Sequence, residues 1–288
     1  MFNIKTINMK FVNRGQAVKE TGLSYLGTVN SSQKILKNKK VSNVITYIIY
    51  LAPAKQSGYD VCEYSTVECR MGCLATSGHA GMELKAGLTV IKKARIKKTR
   101  LFFEEQDFFM EWVIAEIRAA QRKAIKDGFY FSVRLNGTSD IDWAKVIHRG
   151  KNIFAWFPEV QFYDYTKQAS KFYSLAANYH LTFSYTGKNW NSCKALLDAG
   201  HNVAVVFNVK NEADLPKTWN GYPVVNGDLT DYRIADAKGI IVGLKFKRIA
   251  NKKAEGNVLN SCFVVQPEST NIVDADGKEI LVGDILPL

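Results

Sequence analysis

The run Val44-Ile-Thr-Tyr-Ile-Ile-Tyr-Leu-Ala-Pro53 is the apolar stretch from which the fold of this chain can be read. Its β-branched and aromatic residues suit a buried pleated surface, and its length is that of a strand. The residues that follow it, 58–81, are rich in Gly, Ser and Thr. We therefore predict a buried first strand at residues 44–53, with a loop at its carboxyl end.

That loop carries three of the five cysteines of the chain. Cys62, Cys69 and Cys73 fall within twelve residues, a crowding that random placement rarely gives. Three thiolates on one loop can hold a metal centre and leave one coordination position open. An odd number of cysteines in a chain of 288 residues argues against a disulfide framework. We expect thiols in a reducing cytoplasm, where they can bind metal.

Strands and helices alternate downstream of the cysteine loop. Two amphipathic helices are predicted within residues 82–127, with apolar side chains at three- and four-residue steps. The further strands predicted from apolar runs are 129–135, 159–163, 180–185, 202–208, 222–225, 239–245 and 262–265, and shorter helices are predicted at 141–147, 168–178 and 190–199. Such alternation indicates parallel βα units.

The short spacing and the number of these units favour a closed or partly closed barrel over an open doubly wound sheet. We therefore predict an α/β fold: a single-domain parallel (β/α) barrel or partial barrel. The barrel-like domain is expected to span residues 44–288, carrying the cysteine loop at 58–81. Residues 1–43 are mixed and polar, and we interpret them as an N-terminal extension.

Polar and charged residues follow the predicted strands. In parallel barrels the carboxyl ends of the strands converge on one face, which carries the active site. The candidate ligand contacts at this face are Arg134, Asn136, Ser139, Asp140, Asp164, Lys167, Asp228 and Arg233. Both signs of charge in one cavity suit a zwitterionic ligand. The alternative is that these loops are polar only because solvent surrounds them.

Three interpretations of the cysteine loop stay open. A [4Fe-4S] cluster with one open iron is favoured, because three thiolates are present without an obvious fourth. Zinc is the alternative, with His79 as a fourth ligand in a Cys3His set. Unligated thiols are the third. Cys193 and Cys262 lie in a predicted helix and a late predicted strand, and we interpret both as buried core thiols.

The chain carries a net charge of +12, which favours polyanionic partners such as nucleic acid. A basic helix over residues 92–100 is the candidate nucleic-acid contact, and it presents Lys92, Lys93, Arg95, Lys97, Lys98 and Arg100. The alternative is an ordinary solvated helix face. Dinucleotide-binding, Walker A, zinc-hydrolase and nucleophile-turn patterns are missing from the sequence.

A membrane location is not expected from this sequence. It has no run of the roughly 18 consecutive apolar residues that crossing a bilayer requires. The first residues also lack the charged-then-apolar layout of a secretion signal. We predict a cytoplasmic protein.

Three segments resemble the bacteriophage "gene product eighty-eight" family. The first is Tyr50-Leu-Ala-Pro-Ala through Cys73-Leu-Ala-Thr-Ser-Gly. The second comprises Arg134-Leu-Asn136 to Ser139-Asp140 and, further on, Asp164-Tyr165-Thr166-Lys167. The third is Gly227-Asp-Leu-Thr-Asp231-Tyr-Arg233 with the strand after it. The cytoplasm would then be that of the infected host cell. The layout more distantly resembles radical S-adenosylmethionine enzymes, which place three cysteines after the first barrel strand. Their usual spacing is C-x3-C-x2-C, whereas this chain has C-x6-C-x3-C, with Gly72 before the last cysteine.

The resemblance implies ligand roles for the candidate residues. Cys62, Cys69 and Cys73 would ligate the cluster, and the segment 134–140 would contact the amino group and ribose of S-adenosylmethionine. The remaining cofactor or substrate contacts would be Asp164, Lys167, Asp228 and Arg233. The main hypothesis is a phage iron–sulfur enzyme of this type, which needs an electron donor. The alternatives are a metal-stabilised nucleic-acid-binding protein without turnover, and a cluster-dependent sensor or scaffold.

Overall fold

A computed structural model describes residues 14–29, 33–73, 88–249, 251–267, 272–273 and 279–280. The chain divides into two compact units. Unit 1 consists of Met1–Glu63, Glu83–Asp164 and Leu175–His180. Unit 2 consists of Tyr64–Met82, Tyr165–Ser174 and Leu181–Leu288.

Helices and strands alternate through most of the described chain. The α-helices are α1 (Arg14–Thr21), α2 (Gln33–Ser42), α3 (Val67–Met71), α4 (Val90–Glu104), α5 (Gln106–Lys126), α6 (Ile153–Trp156), α7 (Trp190–Asp198) and α8 (Lys252–Leu259). The strands are β1 (Gly27–Thr28), β2 (Val44–Ile49), β3 (Tyr130–Arg134), β4 (Gln161–Thr166), β5 (Tyr179–Ser184), β6 (Asn202–Phe207), β7 (Thr218–Trp219), β8 (Tyr222–Asn226), β9 (Ile241–Lys245), β10 (Val264–Val265), β11 (Ile272–Val273) and β12 (Glu279–Ile280).

Unit 1 is built around β2, whose residues are buried at all but one position. Strand β1 pairs with it antiparallel, and β3 pairs with it parallel, from Val44 opposite Tyr130 to Ile48 opposite Arg134. Strand β4 then pairs parallel with β3. Helix α5 packs on β2 and β3 through apolar residues at helical spacing, among them Phe109, Trp112, Val113 and Ile117.

In unit 2, β6 lies between two parallel neighbours. It pairs with β5 on one side and with β9 on the other, and β9 pairs parallel with β8. Strand β10 also pairs parallel with β6, whereas the short β7 runs antiparallel to β8. The core of this unit includes Phe183, Cys193, Phe207, Trp219 and Ile241. Parallel strands that are buried on both faces have nearly continuous apolar sequences, which is why these strands coincide with apolar runs.

The prediction of a mixed α/β fold with mostly parallel strands is confirmed. Strands occur at or near each of the predicted apolar runs, and the two amphipathic helices are α4 and α5. The closure of the strands into a barrel stays a prediction. The assignment of residues 44–288 to a single domain also stays a prediction. No described helix combines the length and the apolar character that crossing a membrane requires.

Residues 14–42, predicted as an extension, contribute α1, β1 and α2 to unit 1. The Asn38 side chain donates to Thr46 Oγ1 at 3.0 Å and to the Tyr163 hydroxyl at 3.1 Å. The Glu116 carboxylate accepts from the backbone amides of Leu26 and Gly27. These bonds connect residues 26–38 to the sheet and to α5.

Two predicted helices are not formed as expected. Residues 141–147 form turns, because the Asn136 side chain bonds to both the amide and the carbonyl of Ile141. Side-chain bonds of this kind compete with helical hydrogen bonds. The helix predicted at 168–178 is a six-residue 3-10 turn, Ala169–Ser174. Helix α8 and strand β7 were not predicted, because neither carries a strong apolar period.

Candidate ligand site at the carboxyl ends of the strands

In unit 1, the segment that follows β3 crosses over the chain that leaves β2. Gly137 donates its amide to the Ile49 carbonyl at 3.0 Å, and Thr138 Oγ1 donates to the Leu51 carbonyl at 2.5 Å. A Cβ at Gly137 would come within 2.5 Å of the Ile49 oxygen, so the close approach requires glycine. The carboxyl ends of these two strands are thus joined by backbone contacts.

Cys62 lies beside this crossing. Its Sγ is 3.8 Å from the Thr138 carbonyl oxygen, and the Asp140 amide donates to the Val61 carbonyl at 2.7 Å. The Cys62 amide itself donates to the Asp60 carboxylate at 2.9 Å. The first cysteine of the loop therefore contacts the polar segment that follows β3, as expected for a loop that opens onto the carboxyl ends of the strands.

A buried polar cluster lies at the same ends of β3 and β4. Asp164, 1% exposed, accepts from the Asn136 amide at 2.8 Å through Oδ1 and from the Tyr179 hydroxyl at 3.1 Å through Oδ2. Arg134 Nε lies 3.8 Å from Asp164 Oδ1, and both side chains are buried. We call Arg134, Asn136, Asp140, Asp164 and Tyr179 the polar cluster.

The polar cluster keeps the Tyr179 phenol neutral. Burial raises the pKa of Tyr179 well above its ordinary value, and the negative charges of Asp164 and Asp140 raise it further. Both carboxylates therefore act on the same phenol. Because the phenol stays protonated, it remains a hydrogen-bond donor to Asp164.

Asn136 shapes the turn that carries the other predicted contacts. Its Oδ1 accepts from Ser139 Oγ at 2.8 Å, from the Ile141 amide at 3.0 Å and from Trp143 Nε1 at 3.1 Å. Ser139 is buried and its hydroxyl is engaged in this turn. Asn136 and Ser139 thus position the segment on which Asp140 lies.

The other two cysteines of the loop belong to unit 2. Thr66 caps α3 by accepting from the Cys69 amide at 3.1 Å, and Cys73 follows the helix after Gly72. Met71 packs against the apolar group of Ile249, Val258 and Val264. Packing thus anchors α3 in unit 2, and Cys69 and Cys73 remain half-buried.

All five cysteines are thiols in the part of the chain that the structure describes. Cys193 is buried in α7, as predicted, and burial raises the pKa of its thiol. The prediction for Cys262 is wrong: it is exposed, because it lies in the turn before β10 and not within the strand.

Within the described ranges, no group of three or more His, Cys, Asp and Glu side chains is placed to hold a metal ion. His79, the fourth zinc ligand in the alternative interpretation, lies outside those ranges. The donor chemistry of three half-buried thiols fits an iron–sulfur cluster. The ligand set itself rests on the spacing of the cysteines in the sequence.

The candidates of unit 2 make contacts of a different kind. Asp228 accepts from the Lys245 amide at 2.8 Å and lies 3.6 Å from the Lys247 ammonium. Arg233, 1% exposed, donates to the Thr230 carbonyl at 2.5 Å and pairs with Asp236 at 3.0 Å. These bonds hold the segment after β8 together and attach it to β9. Lys167 follows β4 and is half-buried.

The basic helix is largely engaged within unit 1. Lys98 is 7% exposed and donates to the Leu26 carbonyl at 2.7 Å, and burial lowers its pKa to about 8. Arg95 lies over the Tyr50 ring, and Arg100 donates to the Ser57 carbonyl at 3.1 Å. Among the six basic residues of this described helix, Lys93 alone is largely exposed. Three of the six cations of the predicted contact at residues 92–100 are thus engaged within unit 1, and the nucleic-acid contact itself stays a prediction.

Tyr179 is the member of the polar cluster that the sequence analysis did not identify. It opens β5, directly before the residue at which the strand was predicted to begin. A tyrosine at a strand end is an available signal, because its hydroxyl needs a partner when the ring is buried. The partner, Asp164, is fixed only by the tertiary structure.

The comparisons with known proteins identify one family. No curated protein and no solved structure matches the chain. The family model described as Gene product 88 matches residues 14–259, which include the cysteine loop and every candidate contact. The resemblance to the bacteriophage family is confirmed by this match. The chain therefore belongs to the Gene product 88 family.

Proposed function

We propose that this chain is an iron–sulfur protein whose cluster is held by Cys62, Cys69 and Cys73. The proposal is supported by the partial burial of these three thiols and by the contact that Cys62 makes. All three are half-buried within a twelve-residue segment, and Cys62 contacts the strand-end segment that leads into the polar cluster. Thiolates are the usual ligands of such clusters.

The polar cluster supports a small zwitterionic ligand beside Cys62. Arg134 offers a cation for a carboxylate, and Asp140 offers a carboxylate for an ammonium or a ribose hydroxyl. Asp164 holds Arg134 from one side while Tyr179 and the Asn136 amide occupy its oxygens. Asp164 is therefore a positioning residue, and Arg134 and Asp140 are the proposed contacts.

The finer proposal is a radical S-adenosylmethionine-like enzyme, built on the barrel or partial barrel predicted from the sequence. A [4Fe-4S] cluster with one open iron supplies an electron and a coordination position for the amino acid part of S-adenosylmethionine. The chain would supply the three thiolates, the cation at Arg134 and the carboxylate at Asp140. An electron donor would be the required partner.

Metal analysis of anaerobically purified full-length protein tests the proposal. We expect about four iron and four sulfide per chain, the content of one [4Fe-4S] cluster. A stoichiometric amount of zinc without sulfide would contradict it and favour the zinc alternative. Reductive cleavage of S-adenosylmethionine by the cluster-loaded protein tests the finer proposal separately, and its absence in that sample would overturn only the enzyme part.

A further inference from the structure

A second candidate surface lies at the opposite, amino-terminal ends of the strands of unit 1. Helices α2 and α5 both end there, next to the first residue of β3. The Tyr130 amide donates to the Asn43 carbonyl at 3.1 Å, and the Lys39 ammonium lies 4.5 Å from the centre of the Phe129 ring. These contacts bring the two helix ends together at one edge of the unit.

Lysines from both helix ends surround this edge. Lys39 and Lys40 come from α2, Lys123 and Lys126 come from α5, and all four are exposed. Asp127 pairs with Lys123 at 2.9 Å. Its pKa is lowered first by that hydrogen bond and further by the charges of Lys123, Lys39 and Lys126. The surface therefore keeps a positive excess.

Exposed apolar side chains lie among these lysines. Tyr130 is 73% exposed, Ile125 65% and Val41 64%. Lysines near helix C-termini are favoured by the helix dipole, which explains part of the charge. The dipole does not explain an aromatic ring and two aliphatic side chains left in water at the same edge. We call Lys39, Lys40, Val41, Lys123, Lys126 and Tyr130 the basic edge.

The chemistry of the basic edge discriminates between partners. A second copy of the chain is disfavoured, because its net charge of +12 would repel itself. Protein interfaces are depleted in lysine, whereas this edge carries four. Single-stranded nucleic acid fits best, because its phosphates pair with lysines and its bases stack on exposed aromatic rings.

We infer that the basic edge of unit 1 binds single-stranded nucleic acid. Its lysines contact the phosphates, and the Tyr130 ring stacks on a base. This inference is independent of the iron–sulfur proposal, because the basic edge shares no residue with the cysteines or the polar cluster. It also differs from the contact predicted at residues 92–100, where several cations are engaged internally.

Fluorescence anisotropy with a labelled oligothymidylate of about 20 nucleotides, titrated with full-length protein, tests the inference. We expect the double variant Lys39→Glu/Lys126→Glu to weaken binding at least tenfold and to reduce the salt dependence of the affinity. Tyr130→Ala should weaken binding several-fold, whereas Tyr130→Phe retains the ring and should bind as the unchanged protein does. Lys93→Glu on α4 is the charge control for the single variant Lys39→Glu, because both change the net charge by the same amount, and Lys93→Glu should have little effect.

Three outcomes would overturn the inference. The first is an affinity that does not change in the Lys39→Glu/Lys126→Glu variant, or no measurable binding by the unchanged protein. The second is a larger loss in Lys93→Glu than in the double variant. The third is displacement of the oligonucleotide by polyglutamate at equal charge concentration, which would assign the edge to acidic proteins. All the altered side chains are exposed, so we expect every variant to fold. Thermal unfolding of each variant checks this expectation.

Discussion

The polar cluster of unit 1 and the segment after β8 in unit 2 look alike in sequence and differ in their contacts. Both follow a parallel strand and both contain aspartate and arginine. In the polar cluster, Asp164 receives hydrogen bonds from two other segments of the chain. In the segment after β8, Arg233 bonds to Thr230 and Asp236, three residues away on either side. The first arrangement gathers side chains from several segments of unit 1, whereas the contacts of Arg233 stay within its own turn and only Asp228 attaches that turn to β9.

Charge at a strand end is therefore not by itself evidence of a binding site. The useful distinction is whether a charged group is satisfied by its own segment or by distant ones. Arg233 contacts Thr230 and Asp236 of its own segment, and its buried Nε has no hydrogen-bond partner among the described residues. Its role as a ligand contact stays a prediction. Arg134 lies next to a carboxylate from another strand, in the part of unit 1 that also carries Cys62. The following substitutions separate the two regions, from the largest expected effect to the smallest.

Asp164→Asn should have the largest effect on stability. It removes the charge beside buried Arg134 and replaces one carboxylate oxygen with an amide nitrogen. Loss of one partner of a buried pair costs on the order of 3 kcal/mol. Urea unfolding should show this loss, and Asp228→Asn should show a smaller one. An equal loss in both variants would mean that the two regions are not different in kind.

Gly137→Ala should destabilise unit 1 by about 2 kcal/mol, because the added methyl would overlap the Ile49 carbonyl and the Tyr50 ring. Gly256→Ala is the matched control on α8, where an added Cβ meets nothing within 4 Å. That control should gain up to about 1 kcal/mol from helix propensity. Thermal unfolding measures both, and a neutral Gly137→Ala would contradict the close crossing of the two segments.

The double variant Arg233→Met/Asp236→Leu should cost about 1 kcal/mol, because both partners of a buried ion pair can be replaced by apolar side chains at little net cost. Its expected signature is local: faster amide hydrogen exchange over residues 227–236 with an unchanged exchange pattern around the polar cluster. If the variant instead abolished ligand binding, Arg233 would be a ligand contact like Arg134, and the two regions would not differ in kind.

Tyr179→Phe should cost about 1 kcal/mol at pH 7 through the lost hydrogen bond to Asp164. The folded pKa of Tyr179 lies above its unfolded value, so its contribution is fully present below about pH 10 and is lost as the pH rises further. The stability difference between the unchanged protein and Tyr179→Phe should therefore shrink above about pH 10. A difference that grows over this range, measured by urea unfolding, would contradict the assignment.

Apolar runs in the sequence were sufficient to locate the longer parallel strands. Val44–Ile49 and Asn202–Phe207 are buried on both faces, and such strands appear as continuous apolar segments. The contact between Cys62 and the segment after β3 could also be anticipated, because a loop after one parallel strand lies beside the loop after its neighbour.

Other features depend on pairings that a sequence does not display. The turn at 141–147 is decided by the Asn136 side chain, and the neutral phenol of Tyr179 is decided by Asp164. Lys98 looks like one cation among six, yet it is buried against Leu26, 72 residues away along the chain. Each of these depends on a specific hydrogen-bond partner, from five to 72 residues away, that the apolar pattern does not identify.

The cysteine ligand set is the central claim, and iron content in single variants tests it most directly. Cys62→Ser, Cys69→Ser and Cys73→Ser should each lose most of the iron and sulfide of anaerobically purified protein. Cys262→Ser, at an exposed thiol outside the loop, should retain both. If Cys62→Ser kept as much iron as Cys262→Ser, or if all four variants lost it equally, the three-thiolate site would be contradicted.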